Sequence, residues 1–237
     1  MTTGDLVGLG ISYLYASSLL FVAEAVRRWR GYPQDFTRKI VHVGAGMWVF
    51  GVLALFDTWY IGVIPFISFI FLNYIFYRYR LLEAMDATDS TPGTVYFAFS
   101  ISVLFVLFWR TNDPGDLSFV AAAGAMAMTW GDAMASIVGR RFGQHRYTVF
   151  GSTRSYEGSV AMLLASGTAM FLTIMLVPGS SLSPLTQPPS PATGLLAAGS
   201  GALVATLAEA LSPSGTDNLS VPLLAGLTIF VMLVLVL

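Results

Sequence analysis

Eight apolar runs, near residues 6–26, 40–56, 59–77, 94–109, 117–138, 158–177, 194–212 and 221–237, occupy most of this chain. A helix crosses the roughly 30 Å of bilayer hydrocarbon with about 20 apolar residues, and the runs cluster around that length. Charged residues are only 11% of the 237, against about 25% in a soluble globular domain. That is too few to wet the surface of a soluble fold of this size. The expected fold is an all-α polytopic membrane protein of about eight transmembrane helices. It forms one integral membrane domain over 1–237, with no internal repeat.

The cations set the orientation. Arg27, Arg28, Arg30, Arg38 and Lys39 follow the first run, Arg78 and Arg80 the third, and Arg140, Arg141, Arg146 and Arg154 the fifth; only Arg110 falls on the other side. The positive-inside rule therefore places these loops in the cytoplasm and both termini outside. The expected location is a membrane of the prokaryotic plasma-membrane type. The opening Met1-Thr2-Thr3-Gly4-Asp5 has no basic segment before the apolar run, so that run is expected to be retained. Asp57-Thr58 reads as a tight turn with an N-cap. The uncharged, Pro- and Ser-rich segment 178–191 reads as a flexible connector.

Composition removes several functions. With no cysteine there is no disulfide, cysteine zinc site or thiol nucleophile. A net charge of −1 provides no general attraction to nucleic acid.

Polar residues in a bilayer are costly, and each is a functional candidate. By the predicted topology nearly all lie toward the cytoplasmic side. Arg38, Lys39 and His42 open the second run, and Asn73 closes the third. Thr91-Pro92-Gly93-Thr94 opens the fourth, and Thr129, Asp132 and Ser136 share one face of the fifth. A loop over 139–157 follows, and Glu209 and Asp217-Asn218 flank the last inner loop. Plainer roles exist for several. Glu157 suits the positive end of a helix dipole, Arg140 and Arg141 obey the positive-inside rule, and His42 could be a bonded core histidine. His145 suits a solvated loop, and Asp217-Asn218 suits a turn. Asp132 is harder to dismiss. It sits in an apolar stretch with no cation near it in sequence before Arg140, so burial demands a metal or a tertiary cation.

Carboxylates and an amide suit a hard cation, Mg²⁺ or Mn²⁺. Several arginines and a lysine suit phosphate oxygens. Gly139, Gly143, Gly151 and Gly158 would allow backbone N–H groups to approach an anion. Together these describe a nucleotide or polyphosphate site. No P-loop and no kinase-type glycine loop is present, so the ordinary ATP-binding folds are not indicated.

Four motifs, in order, carry a resemblance. They are Arg38-Lys39-x-x-His42; Gly131-Asp132-Ala133-x-Ala135-x-x-x-Gly139-Arg140-Arg141-Phe142-Gly143; Ser155-x-Glu157-Gly158-Ser159; and Glu209 followed by Asp217-Asn218-Leu219-x-Val221-Pro222-Leu223. Over about 36–225 the chain resembles the polyprenol kinase family, which includes phytol, farnesol and dolichol kinases and a CTP-dependent diacylglycerol kinase. The phytol kinase branch is suggested by Thr91-Pro92-Gly93-Thr94-Val95-Tyr96 and Phe108-Trp109-Arg110. Two positions depart from the pattern: Arg154 stands where members usually have Lys, and Ala133 where Gly is frequent.

The resemblance implies phosphoryl transfer from a nucleoside triphosphate, usually CTP, to a lipid alcohol hydroxyl, with Mg²⁺ (or Mn²⁺) held by Asp132 and by Asp217 or Asn218. Arg38, Lys39, Arg140, Arg141 and Arg154 would neutralise phosphate charge. Gly131, Gly139, Gly143, Ser155, Gly158 and Ser159 would border the nucleotide, and Asn73 and Glu209 would support the site. Asp132, Glu157 or His42 would be the base. The rival activities are a CTP:phosphatidate cytidylyltransferase, whose C-terminal Ser-x-x-Lys-Arg and Lys-Asp pattern is missing, the diacylglycerol kinase, and a membrane transporter.

Overall fold

Every one of the eight apolar runs is helical in the computed structural model, which describes residues 1–30, 34–79, 92–213 and 215–236. The elements are α1 (Thr3–Arg30), α2 (Gln34–Leu55), α3 (Trp59–Gly62), α4 (Ile64–Tyr79), α5 (Gly93–Phe108), α6 (Ser118–Phe142), β1 (Arg146–Val149), β2 (Ser152–Ser155), α7 (Tyr156–Leu176), α8 (Pro191–Leu211) and α9 (Asp217–Val236). Arg80 and Thr91 lie outside the described residues.

Among the described residues six spans are long and apolar enough to cross a membrane: α1, α2, α3 with α4, α7, α8 and α9. Of the eight expected, the other two differ for physical reasons. α5 is apolar but has only 16 residues. α6 has 25 residues, about 37 Å of helix, but it occupies the centre. It packs against α2, α5, α7, α8 and α9, and its residues Ser118–Thr129 are buried all round. A helix that meets protein on every side has no need of a lipid-facing stripe. Its alanines and glycines let the neighbouring backbones come close.

The α6–α7 contact is a close one. A Cβ on Gly158 would lie 3.0 Å from the Ala135 carbonyl oxygen and 3.3 Å from Gly139 Cα. Gly131, Ala135 and Gly139 of α6, at four-residue spacing, thus meet Gly158, Met162 and Ser166 of α7.

Where a loop over 139–157 was expected, α6 runs on to Phe142 and an antiparallel hairpin follows, pairing Arg146 with Ser155 and Val149 with Ser152. Its two-residue turn, Phe150-Gly151, has φ of 47° and 79°, the doubly positive pattern of a type I′ turn. Strands of four residues with polar sequences carry too little periodicity to be read in advance.

The connector 178–191 is also more ordered than its composition suggested. Ser183 Oγ donates to Asp116 Oδ2 at 2.6 Å and Thr186 Oγ1 to the Asp116 carbonyl at 2.8 Å. Thr58 does stand at the N-cap of α3, but its side chain makes no cap. Its hydroxyl donates instead to Asp5 Oδ2 at 2.9 Å.

Thr2 Oγ1 donates to Asp57 at 2.5 Å, and Phe230 of α9 packs at a tilt on Phe108 at the end of α5. The beginning of α1 and the final turns of α9 therefore share one end of the bundle. Lys39, Asp132 and Asp217 occupy the other.

Candidate active site

α2 crosses α6 where Gly46 faces the Thr129 side chain, with no room for a Cβ. Lys39, His42 and Gly46 lie at i, i+3 and i+7, one face of a helix. The Gly46 contact brings that face onto Asp132. Lys39 Nζ pairs with Asp132 Oδ2. His42 Nε2 lies 3.6 Å from the same oxygen and 3.2 Å from the Met128 carbonyl. The cation Asp132 needed is therefore a lysine from another helix.

This cluster lies at the polar end of a cavity of about 400 Å³ between α1, α2, α4, α5, α6 and α9. Arg38, Ser136, Arg140, Asp217 and Asn218 also line that end. Asn73 Nδ2 ties α4 to α5 by donating to the Thr94 carbonyl at 3.2 Å, beside the same space. Further in, the lining turns apolar, with Leu19, Trp48, Phe66, Phe69, Phe97 and Ile101. A ligand that fills the whole space has one charged or polar end and one greasy end.

A second charge cluster lies behind this wall. Arg154 Nε donates to Glu209 Oε1 at 2.5 Å, and its Nη2 lies 3.5 Å from Asp217 Oδ2 and 3.3 Å from the Ser212 carbonyl. Both Arg154 and Glu209 side chains are nearly buried, at 12% and 11% exposure. One guanidinium thus links β2 to the end of α8 and the start of α9. Its planar fork reaches three oxygens from two nitrogens, where a lysine would offer one.

The start of α9 carries a further device. Pro222 lies inside that helix and has no N–H to give the carbonyl four residues back. That carbonyl belongs to Asn218, and Ser100 Oγ of α5 lies 3.0 Å from it, sharing its one proton with the Phe97 carbonyl at 2.9 Å. The proline frees an acceptor that fastens the Asp217-Asn218 turn to α5.

The remaining predicted residues lie away from the cavity lining. Glu157 accepts from His145 Nδ1 at 2.7 Å and from its backbone N at 3.2 Å, closing the base of the hairpin. Ser155 caps α7 by accepting from Gly158 N at 3.1 Å. Ser159 Oγ meets Tyr147 OH at 2.6 Å. Gly131, Gly139 and Gly158 sit in the α6–α7 contact. Gly143 approaches Ser155, whose Oγ would be 2.6 Å from a Cβ there. Arg141 lies over Phe142 at 5.6 Å. Sequence reasoning missed Tyr15 and Trp48 as cavity residues, and no polar signal singled them out.

Among the described residues no three carboxylate or imidazole groups converge into a closed metal cage. Asp132 and Asp217 nevertheless both line the cavity. Two carboxylates lining one cavity fit Mg²⁺ that arrives with phosphate and water as its other ligands.

No family model matches the chain, and no solved structure is matched. A curated relative does match nearly end to end. The phytol kinase of Synechocystis is 32% identical over 218 residues, covering 92% of this chain and 88% of its own. The chain belongs to the phytol kinase family. A probable chloroplastic phytol kinase 2 of Glycine max is 29% identical over 92% of this chain and 72% of its own. The chloroplastic farnesol kinase of Arabidopsis thaliana is 22% identical over 68% and 54%. In this member of the phytol kinase family, the first motif and Asp132 of the second meet at the cavity. The third builds the hairpin base and the start of α7. The fourth forms the α8–α9 end and contributes Asp217 and Asn218 to the lining.

Proposed function

We propose that this protein is a prenol kinase that transfers the terminal phosphate of CTP to the hydroxyl of an isoprenoid alcohol. The observation that supports this best is the two-ended cavity, with Lys39, Asp132 and His42 at one end and an aromatic, aliphatic lining at the other. The alcohol lies with its chain among Phe69, Phe97 and Ile101 and its hydroxyl beside Asp132. The nucleotide approaches from the cation-rich side, which the positive-inside rule makes cytoplasmic. In this reading all eight apolar runs span the membrane, α5 and α6 included and α3 with α4 counted as one, with both termini outside.

Asp132, with His42 3.6 Å from it, orients the hydroxyl and takes its proton. The hydroxyl oxygen forms a bond to the terminal phosphorus, the bond to the bridging oxygen breaks, and CDP leaves. Lys39, Arg38 and Arg140 face the charge that spreads over the phosphoryl oxygens, where preorganised cations act most strongly. Mg²⁺, held by Asp132 and Asp217, would neutralise the phosphates. Arg154 holds Asp217 and the hairpin in place from behind.

The alternative with the same ligands is nucleotidyl transfer onto a lipid phosphate. Purified protein supplied with CTP labelled on the γ-phosphate and with phytol, farnesol or diacylglycerol separates the two. The label is expected in a prenyl monophosphate, with CDP as co-product. Ring label in the lipid together with pyrophosphate would replace the kinase reading. Transfer from ATP in preference to CTP would correct the donor.

A further inference from the structure

The cavity has a floor, and the floor is rigid. Trp48 lies six residues beyond His42 on α2, Phe66 seven from Asn73 on α4, and Ile101 seven from Thr94 on α5. On each helix that is about 10 Å below the polar end. Beneath them the bundle is solid. Phe66 packs on Phe105 at 5.0 Å and Phe105 on Trp109 at 5.6 Å, and Val52, Phe105 and Trp109 are fully buried.

Trp48 is held from three sides. Its indole stacks on Tyr15 at 4.3 Å and 17°, and its Nε1 donates to Ser12 Oγ at 3.2 Å. Tyr15 is in turn fixed by donating to the Gly44 carbonyl at 2.9 Å. One turn on, Gly51 leaves the space the ring occupies, since a Cβ there would come within 2.6 Å of it. An aromatic ring locked by stacking, by a hydrogen bond and by a missing side chain beneath it cannot swing aside cheaply.

We propose that Trp48, together with Phe66, sets the longest prenyl chain this protein accepts. A chain long enough to press on the floor must displace a packed ring. One that stops short leaves apolar lining wet. The inference rests on the prenol kinase reading and adds a specificity residue to it. Ala45, one turn above Trp48 on the same cavity wall and exposed to that space, supplies the opposite perturbation.

The test compares kcat/KM for geraniol, farnesol, geranylgeraniol and a longer polyprenol, with label from CTP. It uses the full-length wild type, Trp48→Ala, Phe66→Ala and Ala45→Leu. Because each sample is judged by the ratio between two alcohols, a smaller folded fraction does not alter the result. Trp48→Ala and Phe66→Ala are expected to raise the ratio of the next longer alcohol to the wild-type favourite by about tenfold or more. Ala45→Leu is expected to move the profile one isoprene unit shorter. Unchanged ratios in an active enzyme would overturn the floor, and would mean that the chain leaves the cavity sideways into lipid. A wild type that phosphorylates none of these alcohols would overturn the kinase reading and the floor with it.

Discussion

The two ends of the bundle keep their carboxylates in opposite ways. At the end with the termini, Asp116 accepts from the hydroxyls of Ser118 and Ser183, both at 2.6 Å, and from the Arg110 backbone N at 2.8 Å. Asp5 accepts from the Thr58 hydroxyl at 2.9 Å and from the backbone N of Thr58 and Thr2 at 3.1 and 2.9 Å. Those bonds come from neutral donors on neighbouring loops and helix ends. At the other end Asp132 meets Lys39, while Glu209 and Asp217 meet Arg154. A carboxylate saturated by short neutral bonds ties loops together and has no vacancy to offer. One paired with an ammonium on a cavity wall can change partner when phosphate or a metal arrives, because the incoming charge replaces what the pair gives up. The first arrangement is a knot; the second is suited to chemistry.

The sharpest break in this comparison comes from matched substitutions. Asp132→Asn is expected to lower turnover by at least about a hundredfold while detergent melting changes by only a few degrees, since the amide still meets Lys39. Asp116→Asn is expected to do the reverse. Activity per folded molecule stays, and stability falls by about 1–3 kcal/mol as buried donors lose their acceptor. Equal activity losses in the two variants would erase the distinction between the ends.

Arg154 gives the next largest effect. Arg154→Ala leaves Glu209 nearly buried without its cation and should cost about 3–5 kcal/mol in unfolding free energy. Arg154→Lys should lie between, because one nitrogen replaces the two that reach Glu209, Asp217 and the Ser212 carbonyl. A neutral Arg154→Ala would remove the clamp from the account of how Asp217 is positioned.

The smallest expected effect is the most specific. Ser100→Ala orphans the Asn218 carbonyl and should cost about 1 kcal/mol. Combining it with Pro222→Ala returns an N–H to that carbonyl, so the cost of Ser100→Ala should largely vanish in the double-mutant cycle. Additive losses would mean that the serine and the proline act independently.

By itself the sequence determined the helices and singled out several of the polar residues that line the cavity. Apolar runs of this length favour helix whether lipid or protein surrounds them, because a helix satisfies its own backbone polar groups, so all eight were legible as helices. The cost of polar groups in or beside an apolar run marked Lys39, His42, Asp132 and Asp217. What each residue touches was decided only by the tertiary structure. Lys39 reaches Asp132 across 93 positions, and Arg154 reaches Glu209 across 55. Nothing local encodes such pairings, because they follow from which helix faces come together and how closely. Gly46 against Thr129 sets that approach for α2 and α6, and Gly139 against Gly158 sets it for α6 and α7. Those same α6–α7 glycines, read along the chain, had the look of a phosphate-binding loop. A missing side chain serves a backbone that must approach an anion and a helix that must approach another helix equally well. The packing shows the second use at Gly139 and Gly158, and it places Trp48 in the lining of a cavity rather than as one more aromatic residue in a membrane helix.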